Sequence, residues 1–344
     1  MKNIFYATAL VLLIFLPSSA RAGDTELRVG NMGNSIKPAM VVLAHEMGYY
    51  RDEGLDVRLM QISNLNEGVT ALQLGNKLDI LSLGVIPSLT YAAKGAGLVI
   101  YGGTIAEGCQ GVTLPENKDK YRDIKNFKGK KVAVHRPETG QMIMRAKMRE
   151  AGLDLEKDVE IIQLDGFQAI IEAVSKGMAD IGFVNSGFGL IAEKRGLAIA
   201  FNIKEVAPNA VCCRQTASRE VFEKKRGALV KFQIANLRAY KLMLDDPDTA
   251  VAKLMAFSGQ PEDYVRYCLY SEVMVITMDP AVNRIKDFYK VMEANGDLPK
   301  GYKADISDNV DSGVYREALD EAMKRWPDCE YFKKMDAEFA ANNL

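Results

Sequence analysis

Residues 25–60 read TELRVGNMGNSIKPAMVVLAHEMGYYRDEGLDVRLM. The first seven, TELRVGN, are strand-like and run into a loop of small residues, Gly30 to Ser35. From Lys37 to Tyr50 apolar residues fall at 40, 43, 47 and 50, one face of a helix, with Pro38 suited to its first turn. Leu55 to Met60 then alternates as a second strand. Strand, small-residue loop, helix and strand in this order form the repeating unit of a largely parallel sheet.

The same alternation continues outward. Asn66 to Leu74 reads as a helix stopped by Gly75, LDILSLG (78–84) as a strand, Pro87 to Ala93 as a helix and LVIYGGT (98–104) as a strand. It restarts with GKKVAVH (129–135), the turn RPETG and a helix from Gln141 to Ala151. VEIIQL (159–164), a helix from Phe167 to Lys176, ADIGFVN (179–185) and LAIAFNI (197–203) complete a second unit. Beyond VCCRQTAS (211–218) the chain turns to amphipathic helices such as Ala228–Leu244 and Val314–Trp326. Two α/β units with similar openings predict two lobes facing each other across a cleft, and 344 residues agree with about two domains.

Composition bounds the function. With 48% hydrophobic and 26% charged residues the chain is ordinary globular material, and a formal charge of −1 argues against a nucleic-acid partner. Residues 1–22 differ: Lys2 precedes an apolar run from Ile4 to Leu16, Pro17 breaks it, and Ala20-Arg21-Ala22 fits a signal-peptidase site. The run is about 13 residues, short of the roughly 20 that span a bilayer, so the expectation is a cleaved export signal and an exported soluble protein, with an uncleaved anchor as the competing reading. No cysteine follows the cleavage site to carry a lipid.

Five cysteines show no CxxC spacing, and His45 and His135 are far apart in sequence, so no metal or cofactor motif is present. Cys212 and Cys213 are not expected to pair with each other as a disulfide, because neighbours on a strand point to opposite faces. For Cys268 and Cys329 two readings stand, a bridge or buried free thiols.

The glycine loop lacks the GK[ST] of a phosphate loop and the G-x-G-x-x-G of a dinucleotide fold. What remains is general: a strand ending at small residues before a helix presents unpaired N–H groups and partial positive charge. His135 to Gln141 repeats the arrangement, with Thr139 as a plausible N-cap and Gly140 open to close approach. Arg136 reads equally as a ligand contact or a solvated charge. No G-x-S-x-G is present, and His45 is expected to face a core. Asp79 and Asp180 each precede an apolar strand, where a bond to a nearby loop is the simpler reading than acid–base work.

LAHEMGYYRDEGLDVRL (43–59) resembles the first-lobe signature of periplasmic solute-binding proteins serving ABC importers of nitrate, sulfonates, taurine and thiamin precursors, the SsuA/THI5-like group. Ala44, Gly48, Tyr49, Tyr50, Glu53, Gly54, Leu55 and Val57 fill its pattern. ALQLGNKLDI and GVIPSLTYAAKGAGL (71–98), FKGKKVAV (127–134) and EAVSKGMADIGFV (172–184) follow in family order. The resemblance implies a bilobal, type II Venus-flytrap fold with two hinge-crossing strands. Lobe I would take 23–108 plus 213–344, and lobe II 109–212. It also implies a membrane permease and a cytosolic ATPase as partners of a monomeric binding protein.

Carried over by position, the solute contacts would be Gly33, Asn34 and Ser35, then Gly84, Val85 and Ile86, and the crossover Glu107, Gly108 and Cys109. In the second lobe they would be Thr139, Gly140, Gln141, Asn185 and Ser186. Arg136 and Arg214 suit an anion. Glu107 suits an amine or protonated heterocycle, or else is a hinge carboxylate held by backbone amides. The rival reading is an exported enzyme of the same fold acting on a pyrimidine-type substrate.

Overall fold

The computed structural model describes residues 25–344 other than Asn76, Arg136, Pro137 and Asn209. The export-signal reading of residues 1–22 and the anion-contact reading of Arg136 lie outside the described residues. Ten strands form two sheets: β1 (Thr25–Asn31), β2 (Leu55–Gln61), β3 (Ile80–Gly84), β4 (Leu98–Ile105), β5 (Cys109–Thr113), β6 (Lys130–Val134), β7 (Val159–Gln163), β8 (Ile181–Asn185), β9 (Ala198–Asn202) and β10 (Cys213–Ser218). The first sheet runs β2-β1-β3-β10-β4 and the second β7-β6-β8-β5-β9. β1 pairs parallel with β2 and β3, and β6 with β7 and β8. In each sheet one strand is antiparallel: β10 between β3 and β4, β5 between β8 and β9.

Those two antiparallel strands carry the topology. β5 follows β4 after three residues, and β10 returns the chain to the first sheet after the second is built. The chain therefore crosses between sheets twice, near 106–108 and 203–212. Among the described residues no helix is long and apolar enough to cross a membrane.

Asp79 and Asp180 tie each sheet at the same place. The Asp79 N–H donates to Arg28 O at 2.8 Å and the Arg28 N–H donates back to Asp79 Oδ2 at 2.9 Å. Arg28 Nε and Lys225 Nζ complete the set at 2.9 and 2.8 Å. In the second sheet Asp180 N–H donates to Lys131 O, and Lys131 N–H to Asp180 Oδ2, both at 2.9 Å. Each carboxylate thus sits just ahead of its strand and locks the entry of its parallel neighbour, as the structural reading expects.

The resemblance-bearing segment is spent on packing. Gly48 takes a φ of +73°, which turns the chain sharply between the helix Ala39–Glu46 and Tyr49. Tyr50 stacks on Phe232 with ring centroids 4.8 Å apart and donates to Asn236 Oδ1 at 2.6 Å. Glu53 pairs with Arg325 at 2.5 Å. These contacts seat the helical tail on the first sheet. His45 does not face the core: its ring is 38% exposed beside Glu46, because the helix turns only its preceding residues inward.

The tail also reaches the second sheet's layer. Arg145 on the helix Thr139–Glu150 pairs with Asp297 at 2.8 Å, and Asn295 Nδ2 donates to Met142 O at 3.0 Å. Ile285, Phe288 and Met292 of the helix Val282–Ala294 join the same apolar cluster as Met142, Phe127 and Ile100. The segment 213–344 thus contacts the layers of both sheets.

All five cysteines are free and buried, so the Cys268–Cys329 bridge does not form. Cys268 lies inside the helix Glu262–Tyr270, whereas Cys329 precedes the helix Glu330–Asn343.

The Asp79 clamp is testable. Burial opposes its charge, yet the bonds from Arg28 and Lys225 prevail and hold the carboxyl below its ordinary value. Its stabilisation is thus present at neutral pH and lost as acid protonates the folded carboxylate. Asp79→Asn should lower unfolding free energy by roughly 2 kcal/mol at pH 7 in urea melts, since it removes hydrogen bonds to charged groups. Asp180→Asn, at a more exposed site, should cost about 1 kcal/mol or less. Equal costs would show that burial does not set the strength of the clamp.

Candidate functional site

A cleft of about 580 Å³ opens where the C-terminal ends of both sheets meet. From the first sheet it takes Met32, Ser35 and Lys37 after β1, Asn64 to Asn66 after β2, and Leu83, Gly84, Ile86 and Pro87 around the end of β3. Glu138 and Thr139, following β6, and Phe167, following β7, face them from the second. Cys212 and Cys213 of the second crossover close the floor. A small recess continues past Glu138 and Phe167, lined by Cys109, His135, Gln141, Phe183 and Asn185. Ligands of open α/β sheets bind beyond the carboxyl ends of their strands, and this cleft lies there in both halves.

Local chemistry shapes each wall. Asn64 caps the helix Leu65–Gln73 by accepting from Glu67 N–H at 3.0 Å, which holds it at the rim. Asn31 Nδ2 donates to Gly33 O at 2.9 Å, and Gly33 takes a φ of +53°, so the first loop folds back and presents Ser35. Asn185 Nδ2 donates to Glu138 Oε2, fixing that carboxylate at the N-terminus of the helix Thr139–Glu150. His135 Nδ1 accepts from Gly166 N–H at 3.0 Å, and its ring packs edge-on to Phe167. The histidine therefore positions the aromatic wall.

The residues expected at the site divide into three groups. Ser35, Gly84, Ile86 and Thr139 line the cleft, and Cys109, Gln141 and Asn185 line its recess. Others sit behind the wall. Val85 is fully buried with its N–H on Cys212 O, and Ser186 N–H donates to Gly108 O at 2.8 Å. Gly140 is demanded by packing, since a Cβ there would fall 2.4 Å from Cys109 Cβ. Gly33 and Asn34 stand exposed outside the lining.

Arg214 is placed elsewhere. Its Nε donates to Pro280 O at 2.7 Å and its Nη1 to Ile105 O and Cys213 O at 2.8 Å each. Burial lowers its pKa to about 10. It braces the crossovers and does not line the cleft. Glu107 is the hinge carboxylate of the second reading, its Oε1 accepting from Gly108 N–H at 2.8 Å and Cys109 N–H at 2.7 Å.

Cys212 and Cys213 are unbridged, as expected, though their Sγ atoms lie 3.5 Å apart. β10 begins only at Cys213 and its register breaks at the next residue, so the alternation of a regular strand does not apply. The contact with Cys213, together with burial, holds the Cys212 thiol well above its usual pKa. Burial does the same for Cys109.

Sequence reasoning passed over Lys37, Asn64, Asn66, Glu138 and Phe167. The rule that pointed to the ends of β1 and β6 applies equally to the ends of β2 and β7, and it would have found Asn64 and Phe167. Lys37 and Glu138 lay beside residues already chosen.

The chain belongs to the NMT1/THI5-like family, whose model matches residues 36–250. A protein of Brucella abortus named as a candidate binding protein is 25% identical over 264 residues, 77% of this chain and 74% of that one. Among solved structures, the periplasmic nitrate-binding protein NrtA of Synechocystis PCC 6803 superposes with a TM-score of 0.70 at 16% identity, covering 87% of this chain and 89% of its own. The periplasmic aliphatic sulphonate-binding protein SsuA of Escherichia coli gives 0.67 at 19%, covering 83% and 91%. The desulfurization enzyme DSZB shares the fold at 0.63 and 12%, covering 86% and 99%.

Glu107 makes the site pH-sensitive. Burial, with the nearby Cys212, pushes its carboxyl from 4.5 up to about 8, against the two backbone N–H donors. The folded protein holds this proton while the unfolded chain releases it near 4.5, so stability is greatest below that value and falls as pH rises through about 8. Glu107→Gln should flatten the stability profile between those limits and leave the variant the more stable at pH 8, read from urea melts across pH. An unchanged slope would place the proton elsewhere.

Proposed function

We propose that this chain is an extracytoplasmic solute-binding protein that captures a small organic molecule between two lobes and presents it to an ABC importer. One observation carries the reading: a cleft is lined from the C-terminal ends of both sheets, with Cys212 and Cys213 of the second crossover at its floor. In this reading the lobes are 23–108 plus 213–344 and 109–212, with Val282–Ala294 reaching across. The binding-protein names of the relatives and of NrtA and SsuA support it. So does the export-type N-terminus; in this reading the mature protein is a periplasmic monomer that works beside a membrane permease driven by a cytosolic ATPase.

Cleft chemistry narrows the solute. Apolar Met32, Leu65, Leu83, Ile86, Pro87 and Phe167 offer a wall for a hydrocarbon or ring, while Lys37 and Glu138 bring opposite charges. A bare anion such as nitrate would leave the apolar wall unused and would meet Glu138. An organic solute with an acceptor group for Lys37 and a donor for Glu138, a heterocycle or an amino-substituted sulfonate or carboxylate, satisfies both. In this assignment Ser35, Asn64 and Thr139 supply neutral hydrogen bonds, and Cys109, Gln141 and Asn185 act if the solute extends into the recess.

The fold of DSZB shows that enzymes share this scaffold. Catalysis on a pyrimidine-type substrate would need an activated thiol and a base. Burial helps hold Cys109 and Cys212 protonated; Cys213, which its neighbour Cys212 holds below the usual thiol value, has that thiol as its hydrogen-bond partner and not a histidine. These observations favour binding.

Calorimetry and thermal melts against alkanesulfonates, aminosulfonates, carboxylates, aminopyrimidines and nitrate test the proposal. A cognate solute at a hundred times its dissociation constant should stabilise the protein by about 2.7 kcal/mol. Lys37→Ala and Glu138→Gln should each weaken it by about tenfold or more, since each removes a charged partner. Ser35→Leu should block the cleft, whereas Asn34→Leu, at the exposed rim, should matter little. Absence of stabilisation across the panel would overturn the assignment.

A further inference from the structure

Behind the hinge, on the side away from the cleft, lies a second cavity of about 410 Å³. Arg214, Arg284 and Lys334 line it, with Asp279 and Glu338 as its carboxylates. Arg214 is 1% exposed and spends three of its five N–H donors on the carbonyls of Pro280, Ile105 and Cys213. Its Nη2 is buried without a partner. Arg284 takes no hydrogen-bond or ion-pair partner among the described residues, and its charge opposes that of Arg214.

Asp279 favours the charge of Arg214 from nearby, but its oxygens bond neither arginine. Asp279 Oδ1 accepts from Ala281 N–H at 2.7 Å and Asn343 Nδ2 at 2.8 Å, and Oδ2 accepts from Asn342 Nδ2 at 2.8 Å. Glu338 is 4.0 Å from Lys334. An unsatisfied donor on a buried guanidinium costs free energy, and a second cation facing the same space adds to the cost. One ligand class relieves both.

We propose that this cavity binds an oxyanion, a phosphate, sulfate or carboxylate group accepting from Arg214 Nη2 and pairing with Arg284. The site is separate from the solute cleft, whose lining includes neither arginine. Because Arg214 holds Ile105 O and Cys213 O at the two crossovers, an anion here stiffens the hinge.

The test is a titration of the mature chain with inorganic phosphate, against chloride at equal ionic strength, followed by thermal melts and calorimetry. Wild type should show saturable stabilisation by phosphate beyond that of chloride. Arg284→Ala, and Arg284→Gln as a second variant that keeps more of the side chain's bulk, should raise the phosphate dissociation constant by about tenfold or more. Lys37→Ala, in the solute cleft, should leave it unchanged. The proposal fails if phosphate stabilises no better than chloride. It fails equally if both Arg284 variants bind like wild type, or if Lys37→Ala and not Arg284→Ala abolishes the effect, which would put phosphate in the cleft.

Discussion

The architecture turns on the point where two strands leave their sheets. β4 ends at Ile105 and β10 begins at Cys213, and the guanidinium of Arg214 donates to the carbonyls of both while also holding Pro280 O. A second set of bonds lies alongside: Gly103 N–H donates to Met278 O, Thr277 N–H to Thr104 O, and Ala106 N–H to Val275 O. Residues 275–280 of the tail thus run against the first crossover like a splint. Gly103 permits it, because a Cβ there would lie 2.4 Å from the carbonyl oxygens of Thr277 and Asp279. Backbone polar groups at a crossover leave regular sheet pairing, and unless something satisfies them a buried hinge is costly.

That constraint explains why the helical tail is joined to both sheets. Its first contribution is to cover the first sheet, through Tyr50 against Phe232 and Glu53 against Arg325. Its second is to span the two layers, through Arg145 with Asp297 and the apolar face of Val282–Ala294.

Electrostatics divide the buried charges by duty. Asp79 and Asp180 tie their strands to the parallel neighbours through backbone N–H groups, and at Asp79 the bonds from Arg28 and Lys225 hold the carboxyl below its ordinary value. Glu107 lies at the hinge behind Cys212, where burial favours its neutral form. Lys37 and Glu138 line the cleft. A carboxylate serves as a clamp or a proton store according to how much water and how many donors surround it.

The alternation of strand and helix, the small-residue loops after β1 and β6, and the strand-entry role of Asp79 and Asp180 were legible in the residues. Local periodicity and backbone chemistry decide them. So was the general position of the cleft, because a parallel sheet places its loops at one end. What the chain could not reveal locally was which loop residues face inward. Ser35 turns in and Asn34 out because Gly33 takes a left-handed turn and Asn31 anchors it. Arg214 left the site because three carbonyls from distant segments converge on it, and Cys212 met Cys213 because β10 starts one residue later than a regular strand would. Each of these outcomes rests on contacts between residues far apart in sequence, and only the folded chain brings those partners together.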